Sequence, residues 1–176
     1  MTQITPADIE RAIRNVPDFP KPGIQFKDIT PVLADPKLFS GCIDLLTDGF
    51  KSGQVDAVVG IDARGFIFAA AAAIRLGAGF VPVRKKGKLP FTTHEEEYDL
   101  EYGTATIAMH IDALKPGSRV LLIDDLLATG GTAAAAVSLV EKLGANILEI
   151  SFLIELKFLN GRDRLKGKKI RSIVTY

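Results

Sequence analysis

The sequence predicts an α/β protein with a mainly parallel central sheet flanked by helices. Short apolar runs bounded by turn residues recur at 55–61, 79–83, 120–124 and 147–154, and stretches with helical spacing follow two of them, at 66–76 and 132–143. Runs this apolar suit strands covered on both faces, and strands joined through helices of this length lie parallel in one sheet. With 176 residues, 47% of them apolar, the chain can bury one good-sized core, so residues 1–176 read as a single domain.

The elements follow in order. Thr5-Pro6-Ala7-Asp8 supplies an N-cap, a proline at the first helical position and an acid at the capping-box position; Ile9, Ala12, Ile13 and Val16 continue at helical spacing, so a short helix opens the chain. Pro17, Pro20 and Pro22 break it into a loop that leads to residues 24–29. Asp35-Pro36 caps a second helix, with Leu38, Cys42, Leu45 and Leu46 along one side. Strand and helix then alternate to residue 154, except at 84–103. That stretch is polar, contains Gly87 and Pro90, and carries the basic run Arg84-Lys85-Lys86-Gly87-Lys88 ahead of Glu95-Glu96-Glu97. A loop of this length in a compact domain suits a lid over a ligand. Glu95, Glu96 and Glu97 are assigned to solvent.

Composition narrows the partners. Lys plus Arg number 22 against 21 for Asp plus Glu, a net charge of +1, which provides no global field for nucleic acid or an acidic membrane. A single cysteine, Cys42, forms no internal disulfide and suits a reducing, cytoplasmic setting. Residues 1–10 lack the apolar stretch of a signal peptide, and the Ala-rich run 68–74, closed off by Arg64 and Arg75, is too short to span a bilayer. His94 and His110 have no metal-ligand partners at useful spacing.

The most informative stretch is 120–132, an apolar strand ending in Asp124-Asp125, then Leu126-Leu127-Ala128-Thr129-Gly130-Gly131-Thr132 entering a helix. Ligands of open α/β sheets bind beyond the carboxyl ends of strands, and a helix N-terminus with free N–H groups favours phosphate. That geometry places a phosphate over Ala128 to Thr132, where glycines allow close approach and the Thr129 and Thr132 hydroxyls add donors. Two carboxylates just before it suit the vicinal hydroxyls of a ribose, although the acids alone equally fit a metal site or a structural turn. Neither a Walker A loop nor a G-x-G-x-x-G fingerprint is present.

The whole stretch resembles the phosphoribosyl pyrophosphate motif of type I phosphoribosyltransferases, and within them the adenine phosphoribosyltransferase family. Three further segments match that family in order. The run Pro17-Asp18-Phe19-Pro20-Lys21-Pro22-Gly23-Ile24, continuing through Phe26-Lys27-Asp28-Ile29-Thr30-Pro31, resembles its N-terminal base-binding segment, here residues 1–33. Gly60-Ile61-Asp62-Ala63-Arg64-Gly65-Phe66 resembles its pyrophosphate loop. Arg84 to Pro90 and Tyr98 to Gly103 resemble the two ends of its flexible hood, here 84–103. The central part of the hood, 91–97, has no close counterpart.

The resemblance implies purine salvage: adenine and 5-phosphoribosyl 1-pyrophosphate become AMP and pyrophosphate by displacement at ribose C1, assisted by Mg2+ held mainly by substrate oxygens and water, with no direct protein ligand. Arg64 follows a strand where a guanidinium can reach the leaving group, and as a cation at a helix start it conflicts with the helix dipole, which favours a functional reading. Lys88 and Arg84, by themselves an ordinary solvated basic run, become pyrophosphate contacts by resemblance, Arg84 across a homodimer interface. Asp124 and Asp125 hold ribose hydroxyls and offset positive charge on the sugar. Glu101 transfers the proton at purine N7, and Tyr102 shields the site. Phe26 and Leu126, which ordinary reasoning places in the core, flank the base, and backbone groups near Gln25 and Lys27 read its edge. A carbonyl acceptor there favours the 6-amino group of adenine over a 6-oxo group. Lys27 stands where the family often has arginine. The resemblance also implies a cis peptide bond between Asp62 and Ala63. Two rivals are a 6-oxopurine phosphoribosyltransferase, against which the N-terminal segment speaks, and a non-catalytic sensor of phosphoribosyl pyrophosphate. DNA-binding regulators need an added basic helix-turn-helix unit, which the opening helix does not supply.

Overall fold

A computed structural model of the chain describes residues 3–99 and 103–176. They fall into two compact units, Met1–Leu45 and Leu46–Tyr176.

The first unit opens with α1 (Pro6–Ala12), started by the expected capping box: the Thr5 hydroxyl accepts from the Asp8 N–H, and Asp8 Oδ2 accepts from the Thr5 N–H at 2.9 Å. The helix stops at Ala12 instead of continuing through Val16, and the chain on either side of the proline loop makes an antiparallel hairpin, β1 (Arg14–Pro17) and β2 (Gln25–Asp28), with Val16 opposite Phe26 and Asn15 opposite Lys27. Its turn is tied locally, because Asp18 sits at a φ of 57° and accepts the Gly23 N–H at 2.7 Å, while Phe19 meets Phe26 edge-on at 5.1 Å. A short α2 (Thr30–Ala34) precedes α3 (Pro36–Leu46), where Asp35 Oδ1 accepts the N–H groups of Lys37 and Leu38 at 2.8 and 3.0 Å. That is the cap the sequence predicts.

The second unit is a seven-stranded sheet in the order β5-β6-β4-β3-β7-β8-β9. Its parallel part comprises β3 (Ala57–Ile61), β4 (Gly79–Lys85), β7 (Arg119–Leu127), β8 (Asn146–Glu155) and β9 (Ile170–Thr175). Two helices cover it, α4 (Gly65–Leu76) and α5 (Gly131–Lys142). Val120 and Leu122 share one core cluster with Ala133, Ala136, Leu139 and Val140 of α5. Leu121 and Ile123, equally buried, point to the opposite face, where α4 packs on β3 and β7. Among the described residues no helix is long and apolar enough to cross a membrane.

The main difference from expectation lies in 84–103. β4 runs on to Lys85, and β5 (Thr93–Asp99) pairs antiparallel with β6 (Thr104–His110), which pairs in turn with β4. Residues 84–85 and 93–99 of the stretch are therefore strand rather than structureless loop. Its acids are also used: Glu95 pairs with Lys86 at 2.6 Å, and Glu96 accepts from Ser138 at 2.8 Å and pairs with Lys142, both on α5. Glu96 is consequently not a solvent residue. Alternating Thr-His-Glu-Glu-Glu-Tyr has poor intrinsic β-propensity, and these cross-links supply what local preference does not.

Candidate active site

The register of the central strands builds the site. β3 and β7 stay paired only from Ala57 opposite Val120 to Gly60 opposite Ile123. β7 itself continues to Leu127 on β8, with Asp124 opposite Phe152 and Leu126 opposite Ile154. The two acids therefore do not end the strand, as the sequence suggests. They stand where β7 outruns β3 and faces the turn at 62–64.

That turn contains the cis peptide bond between Asp62 and Ala63. The Asp62 N–H donates to the Val83 carbonyl at 2.9 Å, and Asp62 Oδ2 accepts Arg84 Nε at 3.0 Å. Arg84 also donates through Nη1 to the Lys88 carbonyl at 3.0 Å. Arg84 is thus a brace between the 62–64 turn and the segment after β4, and the Lys88 side chain is exposed. Arg64 caps α4 by backbone alone, and its Nη2 lies 2.6 Å from Asp125 Oδ2.

The two adjacent acids have different surroundings. Asp125 is 6% exposed; burial raises its pKa, and the Arg64 guanidinium opposes that rise. Asp124 is half-buried and lines the pocket, and burial followed by the charge of Asp125 pushes its pKa well above the ordinary carboxylate value. Its Oδ1 accepts the Asp125 N–H at 2.9 Å. Gly65 lets α4 start directly on this acid, since a Cβ there would lie 2.5 Å from Asp124 Oδ1 and 3.2 Å from its Cα.

Beyond the acids a pocket of about 70 Å3 is lined by Asp124, Leu126, Ala128, Thr129, Gly130, Gly131 and Thr132, together with Leu127 and Ala133. Gly130 begins α5 with a φ of +82° and no side-chain cap, so the first-turn N–H groups are left for a ligand. Every residue that sequence reasoning placed around the phosphate, from Ala128 to Thr132, lines this one pocket. Glu101 and Tyr102 lie outside the described residues, and Phe26 and Lys27 belong to β2 of the first unit.

Comparison with known proteins supplies the context for this geometry. A phosphoribosyl transferase domain matches residues 28–174. An adenine phosphoribosyltransferase of Acidothermus cellulolyticus is 57% identical over 173 residues, covering 96% of this chain and 98% of the relative. The chain belongs to the adenine phosphoribosyltransferase family. The crystal structure of the family member from Rhodothermus marinus superposes with a TM-score of 0.92 at 53% identity, covering 97% of this chain and 98% of that one. The member from Saccharomyces cerevisiae superposes at 0.90 with 41% identity, covering 96% of this chain and 97% of that one; its crystal structure holds D-2,5-dideoxy-2,5-imino-altritol 1,6-bisphosphate and adenine. The α/β class with a mainly parallel, helix-flanked sheet is thus the family's own fold.

Sequence reasoning missed two glycines that shape the site, Gly65 against Asp124 and Gly161 against Gly130 and Ala128. Gly65 carries a local signal, a glycine directly after the arginine at a helix start. Gly161 carries none, because its importance comes from contact with Gly130 across 31 positions of chain.

Proposed function

We infer that this chain is an enzyme of purine salvage, converting adenine and 5-phosphoribosyl 1-pyrophosphate to AMP and pyrophosphate. The observation that carries the reading is the pocket in which Asp124 adjoins the uncapped start of α5, with Arg64 at the neighbouring turn. A ribose phosphate needs that combination. The backbone N–H groups of Gly131 and Thr132 and the hydroxyls of Thr129 and Thr132 hold the phosphate that stays on the sugar, and Ala128 and Gly130 let the chain come close to it. Asp124 takes ribose hydroxyls. Arg64, with Lys88, receives the pyrophosphate, and Arg84 holds the 62–64 turn in place or contributes to the neighbour's site. The base lies against Leu126 at the pocket; for Phe26 and the backbone near Lys27, on β2 of the first unit, a part in reading the base rests on the family resemblance alone. Glu101 carries the proton at N7, and Tyr102 shields the reacting centre.

The chemistry asks for positioning rather than a protein nucleophile. The purine nitrogen attacks C1 as the pyrophosphate oxygen leaves, so the site must orient both substrates and offset transient positive charge on the sugar. Asp125, already neutralised by Arg64, regains its negative field when the guanidinium moves to the pyrophosphate. Among the described residues no group of three or more His, Cys, Asp or Glu side chains gathers to hold a metal. Mg2+ would be carried on substrate oxygens, and Asp124, which lines the pocket, is the carboxylate that would hold it through water. When bound, the ion neutralises charge on the departing pyrophosphate.

The active form in this reading is a homodimer in the cytoplasm. Ile67, Ile74 and Phe80 of α4 and β4 are exposed, Ile74 at 84%, which supports a second copy as the partner for that face. Cys42, buried and unpaired, suits a reducing compartment.

The test is pyrophosphate release with magnesium and phosphoribosyl pyrophosphate, offering adenine, hypoxanthine and guanine separately, alongside Glu101→Gln. Turnover with adenine, slowed in the variant, is the expected result. Turnover confined to oxopurines would move the substrate to that class, and binding without turnover would make the chain a sensor.

A further inference from the structure

We propose that Arg162 is a positioning residue for the phosphate loop, acting through Gly161; the inference rests on the reading that this loop holds the sugar's 5′-phosphate. After β8 the chain makes two short 3-10 turns, Lys157–Leu159 and Gly161–Leu165, joined at Asn160 with a φ of 51°. Gly161 there lies directly behind the loop. A Cβ on Gly161 would collide with the Ala128 carbonyl oxygen and sit 2.9 Å from Leu127 Cδ1. A Cβ on Gly130 would collide with the Gly161 carbonyl oxygen and sit 3.2 Å from its Cα. The two backbones touch with no side chain between them, so any movement of Gly161 is felt by the loop.

The loop's residues, Ala128 to Thr132, are small, and a site made of backbone N–H groups is only as accurate as the backbone's own placement. Gly161 is held in turn by its neighbour. Arg162 Nε and Nη2 donate to Glu155 Oε1 and Oε2, both at 2.7 Å, and Nη2 also donates to Ser172 Oγ at 3.2 Å. Glu155 is 4% exposed and ends β8. The adjoining Leu156 N–H donates to the Leu127 carbonyl at 2.9 Å, and the Tyr176 N–H donates to the Glu155 carbonyl at 2.9 Å. The guanidinium fork therefore ties the Gly161 turn to the rigid end of the sheet, one strand away from the phosphate loop. Lysine, a point donor, cannot reproduce two parallel bonds to one carboxylate.

The experiment compares full-length wild type, Arg162→Lys and Thr132→Ala by calorimetric binding of ribose 5-phosphate and, separately, of magnesium pyrophosphate. Arg162→Lys is expected to weaken ribose 5-phosphate about tenfold, the loss of one good charged hydrogen bond's worth of alignment, and to leave pyrophosphate affinity unchanged. In turnover, KM for phosphoribosyl pyrophosphate should rise more than kcat falls. Unchanged ribose 5-phosphate affinity in Arg162→Lys, or equal losses for both ligands, overturns the proposal. Thr132→Ala separates the two ideas: if it too leaves ribose 5-phosphate unaffected, the phosphate-loop reading itself fails and the inference falls with it. Should Arg162→Lys not fold, the double variant Glu155→Gln, Arg162→Gln leaves no buried charge and is read in the same way.

Discussion

Replacing Arg64 with methionine removes the counter-charge of an almost fully buried carboxylate. Asp125 is 6% exposed and lies 2.6 Å from the guanidinium. Breaking a fully buried pair from one side is destabilising by about 3–5 kcal/mol. Here 35% of the Arg64 side chain is open to solvent, and solvent screening reduces the expected loss to about 1–2 kcal/mol. For a chain of this size that corresponds to a Tm lower by roughly 2–8 °C. The pH dependence gives the loss its signature. Burial already raises the folded pKa of Asp125 and Arg64 opposes the rise, so without Arg64 the folded pKa moves further above the unfolded one. A raised carboxyl pKa destabilises above the unfolded value and has no effect below it. Thermal or urea unfolding of Arg64→Met should therefore show its largest deficit at about pH 7, shrinking as pH falls toward the ordinary carboxyl value of 3.8. Adding Asp125→Asn should restore much of the lost stability while turnover stays low. A deficit that is independent of pH, or a double variant no more stable than Arg64→Met, would refute the reasoning.

Asp124→Asn should behave oppositely in stability. The folded pKa of Asp124 is raised well above 3.8 by burial and by Asp125, so the variant should melt higher than wild type at neutral pH, lose that advantage on acidification toward the unfolded pKa, and turn over slowly. Gly65→Ala places a Cβ against Asp124 Oδ1 and Cα; since the backbone atom cannot yield cheaply, a loss of about 1–3 kcal/mol in urea unfolding is expected. Cys42 is buried, and its thiol pKa is pushed up to about 12, so a thiol reagent at mildly alkaline pH should label the protein only after denaturation.

Much of this molecule was decided locally. The apolar runs of β3, β7 and β8, the capping signals at Thr5 and Asp35, and the passage from Asp124-Asp125 through a glycine pair into α5 are all readable from neighbours in sequence, because strand, cap and helix-start chemistry act over a few residues. The same short-range patterning placed Ala128 to Thr132 in one pocket. Other features depended on residues far apart in the chain. The charged strand β5 owes its place to Lys86, Ser138 and Lys142, and β6 and β9 went unread for the same reason, their neighbours being supplied by the sheet. The neutralisation of Asp125 by Arg64 follows from β7 outrunning β3, and the rear wall of the 128–132 loop follows from Gly161 meeting Gly130. Local preference reaches about one turn or one hairpin; strand register and backbone-to-backbone contact are settled only when the whole sheet forms, and they determine which charges meet.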